Sequence, residues 1–201
     1  MNSEKYHHGH LRAALIDAAC QQIEREGATA LNLSKLAQKI GVSQPAVYRH
    51  FPNKQALAFS VARRGLEQLA EALQKTTQHE ENDALKCIQA IAQAYVEFAL
   101  NNREIARLMF SMKERTTEPA LYEVSVLAAA PIFRVVEAAE RGNRLQDPDV
   151  VRTVRIIWAT IHGLAMLLMD EQMPFVTQSP DERATYIEAT ARMLCTGLFI
   201  I

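Results

Sequence analysis

The chain has 201 residues, of which 49% are hydrophobic, and it contains only seven glycines and seven prolines. This composition favours helices over strands and turns, and the length suits a small module joined to a larger body. Three widely spaced cysteines without a Cys-x-x-Cys pair argue against a zinc site or a disulfide framework. The polar start and the lack of an uninterrupted run of 18 apolar residues predict no signal peptide and no membrane span, so we expect a cytoplasmic protein.

The charge is distributed unevenly along the chain. Residues 1–65 carry nine Lys and Arg against four Asp and Glu, a net charge of +5. The remaining residues carry thirteen against nineteen, a net charge of −6. A basic first third followed by an acidic remainder is expected if only the first third approaches phosphate groups.

The N-terminal region predicts a short arm followed by a helix. Residues 1–9 are polar, and we expect a disordered or fraying end. His7, His8 and His10 do not form a visible set of metal ligands, so no metal site is expected. Apolar residues recur at helical spacing over 10–26, which predicts the first helix, and Gly27 ends it.

Residues 31–57 predict two short helices joined by a tight turn. Asn32 is a good N-cap for the first helix. Gly41 ends that helix, because glycine enters the left-handed conformation without a steric penalty from a Cβ atom. Ser43 can cap the second helix, and Pro45 lies in its first turn, where a missing N–H costs nothing. The pattern is that of a helix–turn–helix.

Four further residues support this interpretation of the segment. Val47 and Phe51 supply a narrow apolar face on the second helix. Ala37 is small at the point where two helices must cross closely. Asn53 follows Pro52 and can cap the next helix. These signals agree on one local structure, which strengthens each of them.

The outer face of the second helix is polar or amphipathic and contains no acid. Its side chains can donate hydrogen bonds to phosphates or base edges, as a helix in the major groove requires. The competing interpretation is a structural hairpin with a solvated outer face. The residues of this face and its continuation are Gln44, Tyr48, Arg49, His50 and Lys54.

At this level of detail, residues 10–60 resemble the DNA-binding domain of the TetR family of bacterial transcriptional regulators. The resemblance is carried by Leu-Ala-Gln-Lys-Ile-Gly-Val-Ser-Gln-Pro-Ala-Val-Tyr-Arg-His-Phe and the following Asn-Lys-Gln-Ala-Leu. It implies a three-helix DNA-binding module, an all-helical effector-binding body and a homodimer. The start Tyr-His-His-Gly-x-Leu-Arg is similar to one subgroup, in which Lys5, Tyr6, His7 and Arg12 can touch the DNA backbone.

The resemblance and the pattern together give a set of DNA-binding candidates. Gln44 is the best candidate for base reading, because its amide can bond adenine N6 and N7 together. Arg49 can read guanine or bind phosphate, and Ala46 can offer a methyl contact to thymine. Tyr48, His50 and Lys54 are assigned to phosphate contacts, which set position and register. The full set is Asn32, Ser34, Lys35, Ser43, Gln44, Pro45, Ala46, Tyr48, Arg49, His50 and Lys54.

The rest of the chain predicts further helices and no strands. A long helix over 53–76 is followed by a polar break, and Asp83 can cap the next helix, which extends to about Leu100. Charged residues 113–118 predict a loop. The later helices are predicted over 105–112, from Pro119 to near Gly142 with a kink at Pro131, from 147 to about 171, and from Pro180 to near the end, after a loop at 172–179.

These elements predict an all-α protein with two domains. Residues 1–57 form a helix–turn–helix DNA-binding domain, linked through helix 53–76, and residues 58–201 form a ligand-binding and dimerisation domain. The helix over 147–171 is apolar on nearly every side, so it must be buried on more than one face. The last two helices can therefore pair with their copies around a twofold axis.

Aromatic and methionine side chains in the body are candidates for binding a small apolar ligand, because they give flat or adaptable walls. Ordinary core packing is the competing interpretation for each of them. Trp158 and His162 lie on one helical face, and Trp-x-x-x-His-Gly resembles a signature of one TetR subgroup. His162 can bond a ligand or a buried carbonyl group. The candidates are Tyr95, Phe98, Met109, Phe110, Met112, Phe133, Trp158, His162 and Met166.

The expected function is a ligand-responsive transcriptional regulator, most simply a repressor by analogy with the family. It would bind an inverted-repeat operator in double-stranded DNA as a homodimer and be released by a small apolar molecule. No cofactor is expected. An enzyme is disfavoured, since the sequence has no nucleophile elbow, phosphate loop or His-Glu-x-x-His motif. A helical protein-interaction module without sequence-specific DNA binding is the alternative.

Overall fold

The computed structural model describes residues 3–76, 83–112 and 118–200. Within these ranges the chain forms ten α-helices, one 3-10 turn at Ala28–Ala30 and no strand, which confirms the all-α prediction. The helices are α1 (Ser3–Glu26), α2 (Leu33–Ile40), α3 (Gln44–His50), α4 (Lys54–Thr76), α5 (Ala84–Asn101), α6 (Arg103–Ser111), α7 (Pro119–Arg141), α8 (Val150–Met169), α9 (Pro174–Gln178) and α10 (Pro180–Leu198).

Helix α1 is longer than the sequence predicted. It ends before Gly27, as expected, but it begins at Ser3 instead of near residue 10. The predicted start of the first helix near residue 10 was therefore wrong, whereas fraying of this end stays a prediction. The segment contains no proline, and a single glycine inside a helix costs only about 1 kcal/mol relative to alanine, so Gly9 does not interrupt it.

The residues group into two compact units by packing. The head unit comprises Met1–Leu66 and Asn102–Tyr122, and the body unit comprises Glu67–Asn101 and Glu123–Ile201, as far as these ranges are described. Helix α6 thus belongs to the head unit, where it packs on α1 and on the 3-10 turn at Ala28–Ala30. This is a division by packing, whereas the division into functional domains at residue 57 remains a prediction.

The core of the head unit is built by the apolar stripes that the sequence predicted. Leu15, Ala19 and Ile23 of α1 are completely buried, and Leu36 and Ala37 of α2 are each 1% exposed. Helix α1 packs on α2, and α2 packs on α3. The small side chain of Ala37 lies inside this packing, in agreement with its predicted role at a helix crossing.

The body unit is organised around α5, which packs on both α8 and α10. Asp83 caps α5 as predicted, since its Oδ1 atom accepts a hydrogen bond from the Lys86 N–H at 3.1 Å. Helix α8 begins at Val150, three residues later than its predicted start, because the Asp149 side chain accepts from the Arg152 N–H and ends the extended segment there.

The predicted loop at 172–179 contains a short helix, α9, that the sequence pattern did not reveal. Pro174 occupies its first turn, and no side chain caps its start. The Thr177 hydroxyl donates to the Leu168 carbonyl at 3.3 Å and to the Met173 carbonyl at 3.0 Å. The contact with Leu168 reaches outside the segment and stabilises a helix that is too short to be stable by itself.

Several predicted features are only partly covered by the described residues. The polar break after Thr76 and the loop at 113–118 lie almost entirely outside them. Pro131 is inside α7, as predicted, and the kink there stays a prediction. Cys87 and Cys195 are buried free thiols, and Cys20 is half-buried. Burial raises the pKa of Cys195 to about 11, with smaller contributions from Asp83 and Cys87.

Two described helices, α7 and α8, are long and apolar enough to cross a membrane by length and composition alone. In each of these helices, 33% of the most apolar stretch of 18 residues is buried inside the protein. Core helices of soluble proteins meet the same criterion, so two such helices are weak support for a membrane span.

Candidate nucleic-acid interface

The start and end of α2 are determined by two local contacts. Asn32 has an extended backbone, and its Oδ1 atom accepts hydrogen bonds from the N–H groups of Ser34 at 2.9 Å and Lys35 at 3.1 Å. Gly41 ends the helix in the left-handed conformation with φ of 72°. Both predicted caps are confirmed, and together they restrict where the outer face of α2 points.

Helix α3 is positioned by the same kind of local contacts. The Ser43 hydroxyl oxygen accepts from the Ala46 N–H at 3.4 Å, and Pro45 lies in the first turn. Val47 is completely buried and Phe51 is 1% exposed, so they anchor the helix from beneath. Asn53 then caps α4 by accepting from the Ala56 N–H at 2.8 Å.

The opposite side of α3 is accessible. Gln44, Pro45, Tyr48 and Arg49 are exposed, as is Ser43 in the turn, and His50 is half-buried. Ala46 differs from them, since only 9% of its surface is exposed. The face therefore offers an amide, a phenol and a guanidinium to a partner, and it carries no negative charge.

Helix α2 extends this surface. Asn32 and Lys35 are exposed, and Ser34 is half-buried. A depression of about 380 Å³ lies between α2 and α3, with Gln44 on its α3 side. Its lining also includes Gln38 and Val42, which the sequence analysis did not single out. The available signal was that Gln38 follows Ser34 by one helical turn.

Two cations predicted near DNA also have structural partners in the head unit. The Lys54 ammonium donates to the Thr29 carbonyl at 2.6 Å while the side chain stays exposed. The Arg12 guanidinium lies 5.2 Å from the centre of the Phe51 ring and donates to the Ser60 hydroxyl at 3.0 Å. Arg12 therefore stabilises the position of Phe51. The side chains of Lys5, Tyr6 and His7 lie outside the described residues.

Helix α6 is attached to the head unit from two sides. Its N-cap residue makes no side-chain cap, but Glu24 of α1 accepts from the Ile105 N–H at 3.0 Å. On α4, a Cβ atom at Gly65 would lie 2.7 Å from the Ile105 methyl group and would also collide with Met109. A glycine is needed for this close approach. Met109, a ligand candidate, is thus packed in the head core.

In the body unit, Tyr95 of α5 meets two residues of α8. Its hydroxyl lies 3.0 Å from His162 Nδ1. Its ring contacts the Trp158 ring edge-on, with centres 5.4 Å apart, and the His162 ring at 6.2 Å. Tyr95 is 1% exposed, whereas Trp158 and His162 are half-buried. The structure thus brings together three of the nine ligand candidates.

The other candidates are distributed over both units. Phe98 is 8% exposed in α5, and Phe133 and Met166 are half-buried in α7 and α8. Phe110 and Met112 are half-buried and, like Met109, belong to the head unit.

Two family models match the chain. The model described as "Bacterial regulatory proteins, tetR family" matches residues 15–61. The model described as "Tetracyclin repressor-like, C-terminal domain" matches residues 88–193, which is more than half of the chain.

Individual proteins are similar over different lengths. A structure of a protein with unknown function from Rhodococcus sp. RHA1 is 29% identical, with a TM-score of 0.81 and coverage of 98% of this chain and 99% of that one. An uncharacterised HTH-type transcriptional regulator of Bacillus subtilis, YobS, is 23% identical over 78% of either chain. A nucleoid occlusion factor SlmA of Vibrio vulnificus is 34% identical over 49% of this chain and 50% of its own length.

Proposed function

Because this chain belongs to the TetR family of bacterial regulatory proteins, we propose that it is a ligand-responsive repressor that binds an inverted-repeat operator as a homodimer. The family assignment makes it a transcriptional regulator with a helix–turn–helix domain. Members of this family are soluble DNA-binding regulators that are not enzymes, so the chain acts in the cytoplasm and has no catalytic residues. Residues 1–57 bind DNA, and residues 58–201 bind the effector and the second subunit.

This proposal rests on a single observation: the outer face of α3 is exposed and contains no acidic residue. Caps in the turns before and after α3 hold the helix in position. Gln44 lies at the first helical position, where a recognition helix meets base edges. Arg49 is exposed and contacts guanine or phosphate. Tyr48 and His50 contact phosphates. Ala46 can contribute only a small contact to DNA, because it has the smallest accessible surface of these residues.

Residues of α2 and the turns complete the interface. Lys54 bonds the Thr29 carbonyl with one of its three N–H donors, so two remain for a phosphate. Five further residues line the same surface and set the position of the protein on the duplex. They are Asn32, Ser34, Lys35, Ser43 and Pro45. Gln38 belongs with them, since it lines the depression beside Gln44.

Exposed stripes on α8 and α10 support dimerisation through these helices. On α8, Ile156 and Leu167 are 41% and 46% exposed, and a Cβ atom at Gly163 would meet nothing within 4 Å. On α10, Met193 is 77% exposed, and Gly197 is equally open. Apolar side chains beside open glycines allow two helices to approach closely, as a four-helix interface requires. Sedimentation should show a dimer that Met193→Glu converts to monomers, while Glu188→Ala leaves it intact.

The effector is a small apolar molecule that binds in the body unit near Tyr95, Trp158 and His162. It favours a body state in which the two heads do not match the half-site spacing, and its effect is limited by its differential affinity for the two states. The half-length similarity to a nucleoid occlusion factor does not extend that role to this chain.

DNA binding is tested with the purified protein, its upstream intergenic DNA and a scrambled duplex of equal length, at two salt concentrations. We expect preference for the upstream DNA and weaker binding as salt rises. Lys54→Ala should lower the affinity for DNA, and it should reduce by about 1 the slope of log affinity against log salt concentration. Lys75 is an exposed lysine that pairs with Glu71, and Lys75→Ala should change neither quantity. If the wild-type protein binds no DNA even at low salt, the interaction-module alternative replaces this proposal.

A further inference from the structure

The 3-10 turn at Ala28–Ala30 supplies a backbone acceptor to one of the DNA-binding candidates. The Lys54 ammonium donates to the Thr29 carbonyl at 2.6 Å, across 25 positions of the sequence, and both residues are exposed. A lysine side chain is long and flexible, so a contact that holds its ammonium in advance lowers the entropy cost of binding a phosphate. The position of the Thr29 carbonyl therefore determines where the ammonium of Lys54 is held.

The turn is too short to hold its own position. Its two backbone hydrogen bonds are long, since the Ala30 N–H donates to the Gly27 carbonyl at 3.2 Å and the Leu31 N–H donates to the Ala28 carbonyl at 3.4 Å. A 3-10 turn also has poorer hydrogen-bond geometry than an α-helix. Contacts from outside the turn must therefore contribute to its position.

Gln22 of α1 makes such a contact from inside the head unit. Gln22 is 4% exposed, and its Nε2 atom donates to the Ala30 carbonyl at 3.0 Å. A longer contact of 3.5 Å joins Nε2 to the Glu26 carboxylate. A carbonyl and an ionised carboxylate only accept, so the nitrogen of the amide must face them. The peptide groups of Thr29 and Ala30 are consecutive, so a bond that holds the second carbonyl also restrains the first.

The other side of the Gln22 amide lowers the stability of the core. Its Oε1 atom is buried and has no hydrogen-bond partner among the residues that the structure describes. A buried acceptor without a partner is unfavourable, because it loses its hydrogen bonds to water. Methionine is flexible and apolar, so it could fill this position without that penalty. The bond from Gln22 to the turn therefore explains a glutamine here better than core stability does.

We propose that Gln22 is a positioning residue for DNA binding: it holds the Ala28–Ala30 turn, and the turn holds the Lys54 ammonium for a phosphate. Gln22 is nearly inaccessible and does not contact DNA itself. This inference rests on the proposed function in taking Lys54 as a phosphate contact. Replacing Gln22 with an apolar residue of similar length should weaken DNA binding through Lys54 and should not lower stability.

The restraint on the turn is tested first in the free full-length protein, by amide hydrogen exchange measured with NMR. In Gln22→Met, the N–H groups of Ala30 and Leu31 should exchange about three- to tenfold faster than in the wild type, because the turn loses one hydrogen bond. Gln93 is an exposed glutamine of α5 that bonds Glu97, and Gln93→Met should match the wild type. Unchanged exchange of the turn in Gln22→Met would refute the proposal.

The effect on DNA is tested by a double-mutant cycle of Gln22→Met and Lys54→Ala, with the upstream DNA over a range of salt concentrations. Gln22→Met alone should lower the affinity about three- to tenfold. It should also shift the slope of log affinity against log salt concentration towards that of Lys54→Ala. Added to Lys54→Ala, it should lower the affinity no further, because the two residues act through one contact.

Two results of this cycle would overturn the proposal. The first is an equal loss of affinity on adding Gln22→Met to the wild type and to Lys54→Ala, which would indicate a general structural role. The second is a Gln22→Met protein that is unfolded or melts at a clearly lower temperature, as measured by circular dichroism, since the proposal requires stability to be retained.

The wild-type protein separates this inference from the proposed function. Wild-type protein that binds its upstream DNA through Lys54, with a Gln22→Met variant of equal affinity, supports the regulator and refutes the positioning role. Wild-type protein that binds no DNA refutes the regulator and its use of Lys54, and faster exchange in Gln22→Met would then show only that Gln22 restrains the turn.

Discussion

The outer face of α2 and α3 differs from the Tyr95–Trp158–His162 cluster in the sequence distance between interacting residues. Asn32 caps residues two and three positions away, and Ser43 caps a residue three positions away. Tyr95 and His162, in contrast, are separated by 67 positions. Local contacts can be read from a short pattern, whereas a partner on another helix can be identified only when the packing of the two helices is known.

The two regions also differ in how their side chains are stabilised. The α3 face is exposed and depends on caps and on the buried Val47 and Phe51 beneath it. The cluster depends on Tyr95, which is nearly inaccessible and supports half-buried partners. Substitutions should therefore act on the first region through the helix backbone and on the second through the orientation of side chains.

The largest effect is expected at Phe51, which anchors α3 and packs under the Arg12 guanidinium. Phe51→Ala should lower the free energy of unfolding by about 3–5 kcal/mol, because it leaves a cavity in the head core. Urea denaturation followed by circular dichroism measures this. Phe175→Ala is the control, since that side chain is 86% exposed and its loss should change stability by less than about 0.5 kcal/mol.

Gln44→Ala tests whether the α3 face reads bases. We expect discrimination at one base-pair position of each half-site to fall by about 1–3 kcal/mol, with stability unchanged. Selection from a random DNA library before and after the substitution locates that position. Gln178→Ala, at an exposed glutamine of α9, should leave the selected sequence unchanged, and a uniform loss of affinity in Gln44→Ala would show that Gln44 contacts phosphate instead.

Tyr95→Phe tests the cluster by removing one hydroxyl group. Stability should fall by about 1.5 kcal/mol, because His162 Nδ1 loses its partner at the α5–α8 contact. Thermal unfolding measures the loss of stability, with Tyr186→Phe as the control. Tyr186 is 44% exposed, so its substitution should leave stability nearly unchanged. Equal melting temperatures of the two variants would mean that the Tyr95–His162 contact contributes little to stability.

The smallest effect is expected at the cap of α2. Asn32→Ala should destabilise the protein by about 1 kcal/mol, because the N–H groups of Ser34 and Lys35 lose their acceptor. Asn32→Gly should cost only a few tenths of a kcal/mol at the same site. Urea titration of both variants distinguishes the role of the cap from the role of side-chain size, and equal losses would contradict the capping role.

The quality of the sequence predictions follows the same local-to-distant division. Gly41, Ser43 and Asn53 were predicted correctly, because the helix ends that they form depend on neighbouring residues. The start of α1 was not predicted correctly, since nothing near residue 10 stops the helix. The existence of α9 was not predicted, since it depends on the contact of Thr177 with Leu168. The Lys54–Thr29 hydrogen bond could not be predicted from the sequence either, because it joins α4 to a turn 25 residues earlier.

The sequence by itself determined the all-helical class, the helix–turn–helix and the charge of its outer face, because periodicity, capping residues and turn glycines act over a few residues. The tertiary structure decided that α6 packs in the head unit through Glu24 and Gly65, that Arg12 supports Phe51, and that Tyr95 orients His162. These contacts join helices whose spacing along the chain carries no periodic signal. Their formation depends on which faces are brought together when the hydrophobic core is buried.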